Sequence, residues 1–285
     1  MNKPNFIIKT NEVYRTFEDE IKNIRYVGKI EFGKPKLKEL TISAYIKNYD
    51  FIIYLCNLER LENAFFQLPM LRGLCEDLIA ISYLLELSDK ESDDILISNQ
   101  LRKEKRTLES QEKYFKKYNK GQLVVPANKY PTFEEYKNHQ KTLNITERHL
   151  PSVQKMSVKV GLGDLYEFLY MATSKSVHFD VGTLLGMGWG NYNKENNEVD
   201  LNFSFEHNFK QYYSFVLFYS SFIFIEQTKR FSKVIDTNKI IKKLLPLIDG
   251  YKDIDWPTII SFSQLNIEKP SEIIRLFNRA LSKYK

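Results

Sequence analysis

Two oppositely charged residues inside one long apolar stretch are the first residues that could do chemistry. Arg72 and Glu76 lie four residues apart between Leu68 and Leu87, in a segment that is otherwise almost entirely apolar. Pro69 suits the first turn of a helix, so this segment predicts a long central helix that is buried all round. Because a buried Arg–Glu pair stabilises a fold only weakly, we expect a polar functional site here. A structural ion pair and a partly exposed face are the alternatives.

A second pair of polar residues, Ser174 and His178, has the same spacing in a predicted helix over residues 164–181. At about 100° per residue, Glu167, Ser174 and His178 share one side of that helix. We expect this polar seam to face the interior of the protein. The other histidines, at 139, 149 and 207, lie in polar segments or near a helix start, which makes His178 the best candidate for acid–base chemistry.

The two pairs together contain the side chains needed to cleave a phosphodiester, provided that their helices pack against each other. A carboxylate raises the basicity of a nearby histidine, and an arginine can hold a phosphate through two parallel hydrogen bonds. The same side chains also suit binding of a phosphorylated ligand, or a buried network that fixes helix register. A serine-hydrolase site is disfavoured because the sequence has no G-x-S-x-G elbow. We expect no metal or other cofactor.

The composition is that of a globular protein and leaves the class of partner open. The 285 residues are 43% hydrophobic and 27% charged, with a formal net charge of +6, which permits an anionic partner such as RNA without requiring one. Cys56 and Cys75 both fall in apolar segments and are predicted to be buried thiols. The apolar run 212–225 is too short to span a bilayer. We therefore expect a cytoplasmic protein with no membrane partner.

Hydrophobic periodicity predicts an all-α fold, a multi-helix bundle around the central helix. No stretch alternates with period two for long enough to predict a strand, and residues 182–198 read as a glycine-rich turn followed by a polar loop. We expect one domain over residues 1–285, made of an N-terminal arm (1–36), a core bundle (37–236) and C-terminal helices (237–285). An irregular connection covers 119–163. Helices are predicted at 11–26, 37–67, 68–87, 88–119, 132–141, 164–181, 204–235, 238–247 and 271–284.

The predicted helix over residues 88–119 is strongly polar and begins with a capping box at Ser88 and Glu91. Its alternating charges favour a solvated helix on the protein surface. The alternative is a basic face, interleaved with aromatic residues, that binds nucleic acid. The candidate residues for that face are Arg102, Lys103, Arg106, Lys113, Lys116 and Lys117, with Tyr114, Phe115 and Tyr118 between them.

The polar pairs also carry a resemblance to a known family. The motif Arg72-x3-Glu76 in an apolar helix, followed about a hundred residues later by a tyrosine-rich helix with Ser174-x3-His178, resembles a bacterial all-helical family. That family is catalogued as domain of unknown function 5677, and the resemblance covers roughly residues 40–235. The family is similar in style to the HEPN helical bundles, many of which are ribonucleases of toxin–antitoxin and abortive-infection systems.

The resemblance implies a HEPN-like, nucleic-acid-directed protein, with metal-independent RNA cleavage in bacterial antiviral defence or a toxin system as the expected activity. In that interpretation His178 is the acid–base, Arg72 holds a phosphate, Glu76 orients one of them and Ser174 completes the site. HEPN nucleases carry Arg-x4–6-His on one helix, a spacing that this sequence lacks. The resemblance also implies a homodimer. The alternative function is a non-catalytic interaction or sensor module that binds a partner protein and contains a structural polar network.

Overall fold

The computed structural model describes residues 5–26, 37–120, 150–178, 180, 188–193, 195, 198–204, 209–252, 255–258 and 266–267. The α-helices within these ranges are α1 (Asn5–Arg15), α2 (Glu18–Arg25), α3 (Leu37–Cys56), α4 (Leu68–Leu84), α5 (Asp89–Lys117), α6 (Val153–Lys159), α7 (Gly163–Val177), α8 (Phe209–Arg230) and α9 (Asn238–Gly250). Short 3-10 helices cover Leu61–Gln67 and Phe231–Lys233. The protein is an all-α multi-helix bundle, as the sequence predicts.

Helix α8 forms the centre of the bundle, because it packs against α3, α4 and α9. Its aromatic side chains are fully buried at Phe215, Phe218 and Phe224. The ring of Tyr45 from α3 stacks on Phe224 with centroids 4.5 Å apart. The predicted role of residues 212–225 as a core helix is thus confirmed, and none of the described helices has the length and apolar character needed to cross a membrane.

Buried amides fix α3 against α8. The side-chain nitrogen Nδ2 of Asn48 donates to Oε1 of Gln227 at 3.0 Å and to the carbonyl of Ser220 at 3.3 Å. Both amide side chains are completely buried. Because buried amides must find partners, these bonds favour one register of the two helices over its neighbours.

Helix α4 forms as predicted, with Pro69 in its first turn. Leu71, Leu74 and Leu78 are fully buried, but the side that carries Arg72 and Glu76 is partly exposed. The prediction of all-round burial is therefore wrong. The helices that pack against α4, namely α3, α6, α7 and α8, leave one strip of its surface partly open to solvent.

Several predicted helix boundaries are also wrong. Helix α3 ends at Cys56 instead of continuing to Gln67, and its last turn tightens as the N–H of Leu58 donates to the carbonyl of Leu55 at 3.1 Å. The predicted helix over 11–26 is two helices, because the chain turns to place Phe17 in the core. Helix α8 is described from Phe209 onward, and the four residues between it and Ser204 lie outside the described residues.

A small sheet occupies the segment predicted to be a turn and loop. Strands β1 (Gly188–Asn193) and β2 (Glu198–Phe203) pair antiparallel, and β3 (Asn266–Ile267) pairs parallel with β1, giving the order β2-β1-β3. The strand β1 reads Gly-Trp-Gly-Asn-Tyr-Asn, which lacks the alternation of apolar and polar residues that signals a strand. Its pairing with β3 depends on residues more than seventy positions away.

The capping box at the start of α5 is confirmed. The hydroxyl of Ser88 accepts from the N–H of Glu91 at 3.4 Å, and the Glu91 carboxylate accepts from the N–H of Ser88 at 3.1 Å. The helix has 29 residues and is therefore about 43 Å long. Ser92 and Ile95 near its start are buried, whereas every residue from 106 to 117 is exposed or half-buried. The C-terminal half of α5 therefore lies at the surface.

Some predictions fall outside the described residues. These are the helices at 132–141 and 271–284 and the histidines at 139, 149 and 207. Cys56 and Cys75 are both buried and are not joined by a disulfide, as predicted. Burial raises the pKa of the Cys75 thiol to about 12, so it is protonated at physiological pH.

Candidate anion-binding site on helix α4

The partly exposed strip of α4 carries the Arg72–Glu76 pair and lies beside α7. Nε of Arg72 donates to Oε1 of Glu76 at 2.8 Å, and the side chains are 26% and 34% exposed. The guanidinium carbon of Arg72 lies 4.6 Å from the ring centroid of Tyr170, which belongs to α7. A cation–π contact and a hydrogen bond therefore hold one guanidinium from two sides.

The terminal nitrogens of Arg72 are the chemically important part of this arrangement. Within the described ranges, Nη1 and Nη2 of Arg72 donate to no side chain or carbonyl, since its only hydrogen bond is made by Nε. The two terminal N–H groups form the fork that binds a phosphate or carboxylate in a bidentate manner. Glu76 and Tyr170 thus fix the plane of the guanidinium while its fork remains available to a ligand.

The charges of the site are stable at physiological pH. The hydrogen bond that Arg72 donates to the Glu76 carboxylate raises the pKa of Arg72, which stays protonated. Burial, with the nearby Glu76 carboxylate, raises the pKa of Tyr166, which neighbours Tyr170 at a centroid distance of 5.6 Å. Both effects keep the tyrosine neutral, so the site presents one cation, one carboxylate and aromatic rings.

A second ion pair flanks the same strip on the side of α3. Nζ of Lys47 lies 2.7 Å from Oδ2 of Asp77. Gly73 lies between the two pairs, and a Cβ at this position would be 3.8 Å from Nζ of Lys47. Because Gly73 has no side chain, the Lys47 ammonium lies next to the α4 backbone at the residue that follows Arg72. We call Lys47, Arg72, Gly73, Glu76, Asp77 and Tyr170 the α4 site.

Ser174 and His178 do not lie on an internal seam. Helix α7 ends at Val177, and His178 caps it in an extended conformation, its N–H donating to the carbonyl of Ser174 at 3.0 Å. The side chains of His178 and Glu167 are exposed and that of Ser174 is half-buried. The predicted inward orientation is wrong because α7 buries its other side, where Leu169 and Thr173 are in the core.

The structure brings only half of the predicted quartet together. Arg72 and Glu76 are bonded, but in the described part of the chain no hydrogen bond or ion pair joins either of them to Ser174 or His178. His178 follows Tyr170, the partner of Arg72, by eight residues, which corresponds to about 12 Å along the helix axis. Their roles as site residues remain predictions.

Sequence reasoning missed Tyr170 and Lys47, which complete the α4 site. The helical spacing of Tyr166 and Tyr170 could have indicated an aromatic face on α7, but nothing local to the sequence pairs that face with Arg72. Among the described residues, no group of three His, Cys, Asp or Glu side chains is placed to hold a metal ion. The α4 site contains two cations and two carboxylates at a partly open surface, and the terminal N–H groups of Arg72 are the part of it that suits an anion.

The predicted basic residues of α5 lie apart from these contacts. Arg106, Lys113, Lys116 and Lys117 are exposed, whereas the side chains of the residues at 102 and 103 lie outside the described residues. Nζ of Lys117 lies 5.5 Å from the ring centroid of Tyr118. The four described cations of this set therefore lie at the surface, whereas Glu76 and Tyr170 hold the guanidinium of Arg72.

Fold and site together define an α-helical bundle whose helix α4 presents a positioned arginine. The model of the family described as "Family of unknown function (DUF5677)" matches residues 40–198, more than half of the chain, and the protein belongs to this family. The match contains α4, α5 and α7 and thus the whole α4 site. No curated protein and no solved structure matches the chain, so the HEPN-like resemblance remains a prediction.

Proposed function

We propose that this protein is nucleic-acid-directed and binds the phosphate backbone of RNA at the α4 site. The observation that carries the proposal is the Arg72 guanidinium, which is bonded through Nε to Glu76 and packed on Tyr170. Its terminal nitrogens have no hydrogen-bond partner among the described residues. A guanidinium fixed in this way has already lost much of the rotamer freedom that phosphate binding would otherwise remove.

A polyanion is favoured over a small anion because the cations are spread over a surface. Lys47 and Arg72 lie on either side of Gly73, and a ligand that contacts both runs across α4. The chain also carries a formal net charge of +6, which favours association with nucleic acid. Each added phosphate contact increases affinity and its dependence on salt.

Cleavage of the bound RNA is the second part of the proposal. His178 is exposed, so a substrate can reach it, and histidine is the side chain that most often serves as general acid or base in enzymes. Because Tyr170, the ring partner of Arg72, and His178 are separated by roughly 12 Å along α7, Arg72 and His178 contact different phosphates of one strand. Arg72 is then a binding residue, and a second acid–base group is supplied by another chain in a homodimer.

The proposal is tested with purified protein and a fluorescein-labelled single-stranded RNA. Fluorescence anisotropy measures binding and a denaturing gel measures cleavage. We expect Arg72→Ala to weaken binding about tenfold. We expect His178→Ala to bind normally and to lose activity by about a hundredfold or more. A wild-type protein that does not bind RNA, or an Arg72→Ala variant that binds as well as the wild type, would contradict the proposal.

Arg230→Ala is the matched control for Arg72→Ala. Arg230 is also a half-buried arginine that bonds to a glutamate four residues away, at 29% side-chain exposure, but its Nη1 donates to the carbonyl of Val160 at 3.0 Å. If both variants lose RNA binding equally, the loss reflects general damage to the fold. Circular dichroism is recorded for each variant.

A non-catalytic interaction module is the second candidate function, and one observation favours it. Phe168 and Trp256 both pack on Tyr219, at centroid distances of 5.2 and 6.5 Å, yet remain 39% and 49% exposed. Exposed aromatic side chains of this kind are common in protein interfaces. Light scattering of wild type and Phe168→Ser tests self-association through this face. A dimer that Phe168→Ser dissociates supports it, and identical masses for the two proteins contradict it.

A further inference from the structure

The C-terminal half of α5 exposes two tyrosines on one face. Tyr114 and Tyr118 are 60% and 53% exposed, and their ring centroids are 4.9 Å apart. Large aromatic rings exposed to this degree in a solvated helix gain little from the fold, since most of their surface stays in water. The two ring planes are tilted by 51° to each other, so the neighbouring rings offer two separate faces for stacking.

The positive charges of this half-helix lie next to the two tyrosines. On a helical wheel Arg106, Lys113 and Lys117 fall within an arc of about 40°, directly beside Tyr114 and Tyr118. The five residues together span an arc of about 140°. All five are exposed, and no described carboxylate forms an ion pair with any of the three cations.

The acidic residues of the same segment lie outside this arc. Glu112 falls on the opposite side of the helix, and Glu109 lies beyond the edge formed by Lys113. Lys116 is also on the opposite side, beside Glu112. The residues that face outward between the cations and the rings are Thr107 and Ser110, which are small and exposed. One face of the helix therefore combines aromatic rings with unpaired positive charge.

We infer that this face, formed by Arg106, Lys113, Tyr114, Lys117 and Tyr118, binds single-stranded nucleic acid. The lysines and arginine contact phosphates and the tyrosine rings stack on bases. A single strand is required because the bases of a duplex are already stacked on each other and cannot reach the rings. The face is about 18 Å long, enough for a few nucleotides.

The inference extends the proposed function, because it names single strands as the preferred form of nucleic acid. The observations that support it all come from α5. The probe is a fluorescein-labelled oligouridylate about twelve nucleotides long, titrated with the full chain between about 50 and 200 mM salt. A duplex of the same length is titrated in parallel. We expect the single strand to bind at least about tenfold more tightly than the duplex.

Two pairs of matched variants test the face. Lys117→Glu is compared with Lys116→Glu, since the two lysines are consecutive but about 100° apart on the helical wheel, which leaves only Lys117 on the face. Tyr114→Ala is compared with Tyr26→Ala, because Tyr26 is 83% exposed elsewhere on the surface. We expect Lys117→Glu and Tyr114→Ala each to weaken binding about tenfold, and each control to change it less than about twofold. Replacing Lys113 and Lys117 with alanine should lower the salt slope by about 1.4.

The outcomes separate this inference from the proposed function. If the α5 variants lose binding and Arg72→Ala does not, the inference stands and the α4 proposal fails. If Arg72→Ala alone loses binding, the α5 inference is overturned. The inference is also overturned if Lys117→Glu and Lys116→Glu lose binding equally, or if the single strand and the duplex bind with equal affinity. Either result would mean that binding depends on net charge alone. The substituted side chains of α5 and Tyr26 are exposed, so circular dichroism should show unchanged folding for these variants.

Discussion

Two half-buried arginines in this protein each bond to a glutamate four residues away, yet they are used differently. Arg230 of α8 bonds through Nε to Glu226 at 3.4 Å and through Nη1 to the carbonyl of Val160 at 3.0 Å. Lys229 also donates to Glu226, at 2.8 Å. Within the part of the chain that the structure describes, Arg72 of α4 bonds only through Nε, to Glu76 at 2.8 Å.

The comparison shows that a shared spacing does not imply a shared role. The Arg230 guanidinium links α8 to the end of α6, and it donates its hydrogen bonds to other groups of the protein. The Arg72 guanidinium packs on the ring of Tyr170, and its terminal N–H groups remain available to bind a ligand. The number of donors that the fold already satisfies therefore separates a structural arginine from a ligand-binding one.

The largest effect that we predict is a loss of stability when Arg230 is replaced. Arg230→Ala leaves the carbonyl of Val160 unpaired and leaves Glu226, 17% exposed, with only Lys229 as partner. We expect the free energy of unfolding to fall by about 1–3 kcal/mol. Urea denaturation measures it. A change of less than about 0.5 kcal/mol, which is typical of surface positions, would show that Arg230 has no structural role.

The second prediction concerns function at the other arginine. Arg72→Ala should weaken RNA binding about tenfold, which is about 1.4 kcal/mol, while lowering stability by less than about 1 kcal/mol. Arg72→Lys should also lose most of the affinity, because an ammonium keeps the charge but not the planar fork. Anisotropy and urea melts on the same samples give both values. Full binding by Arg72→Lys would mean that charge alone is recognised.

A smaller effect is expected at Glu76, which we assign a positioning role. Glu76→Gln keeps an acceptor for Nε of Arg72 and removes the competing negative charge, so RNA affinity should stay within about twofold or rise. Glu76→Ala removes the acceptor and should lower affinity about threefold. The two variants are measured by the same titration. Equal losses for Gln and Ala would show that the carboxylate charge itself matters.

The smallest effect that we predict concerns a third ion pair, which joins helices α2 and α9 and can be compared with the pairs of the two arginines. Nζ of Lys243 lies 2.7 Å from Oε1 of Glu20 and lowers the pKa of that carboxyl. Because the folded pKa is depressed, the pair contributes stability above the unfolded value, about 4.3, and loses it as the pH falls through the folded pKa. We expect Glu20→Gln to reduce the loss of unfolding free energy between pH 5 and pH 3, as measured by urea denaturation. An unchanged loss of unfolding free energy in this pH range would contradict the prediction.

The sequence by itself determined most of the helices and one of the two polar pairs. The capping box of Ser88, the start of α4 at Pro69 and the buried character of α8 were all predicted, because caps and helical periodicity depend on neighbours within a few residues. The contact between Arg72 and Glu76 followed for the same reason, since four residues bring two side chains together on any helix.

Only the tertiary structure decided which side of each helix faces solvent. Whether Arg72 is buried depends on how far α3 and α7 wrap around α4, and Tyr170 becomes its partner only when α7 packs there. The exposure of His178 and the pairing of β1 with β3 were likewise set by segments remote in sequence. A local pattern fixes the direction of a side chain on its own helix, but the neighbours that receive it are chosen by the packing of the whole chain.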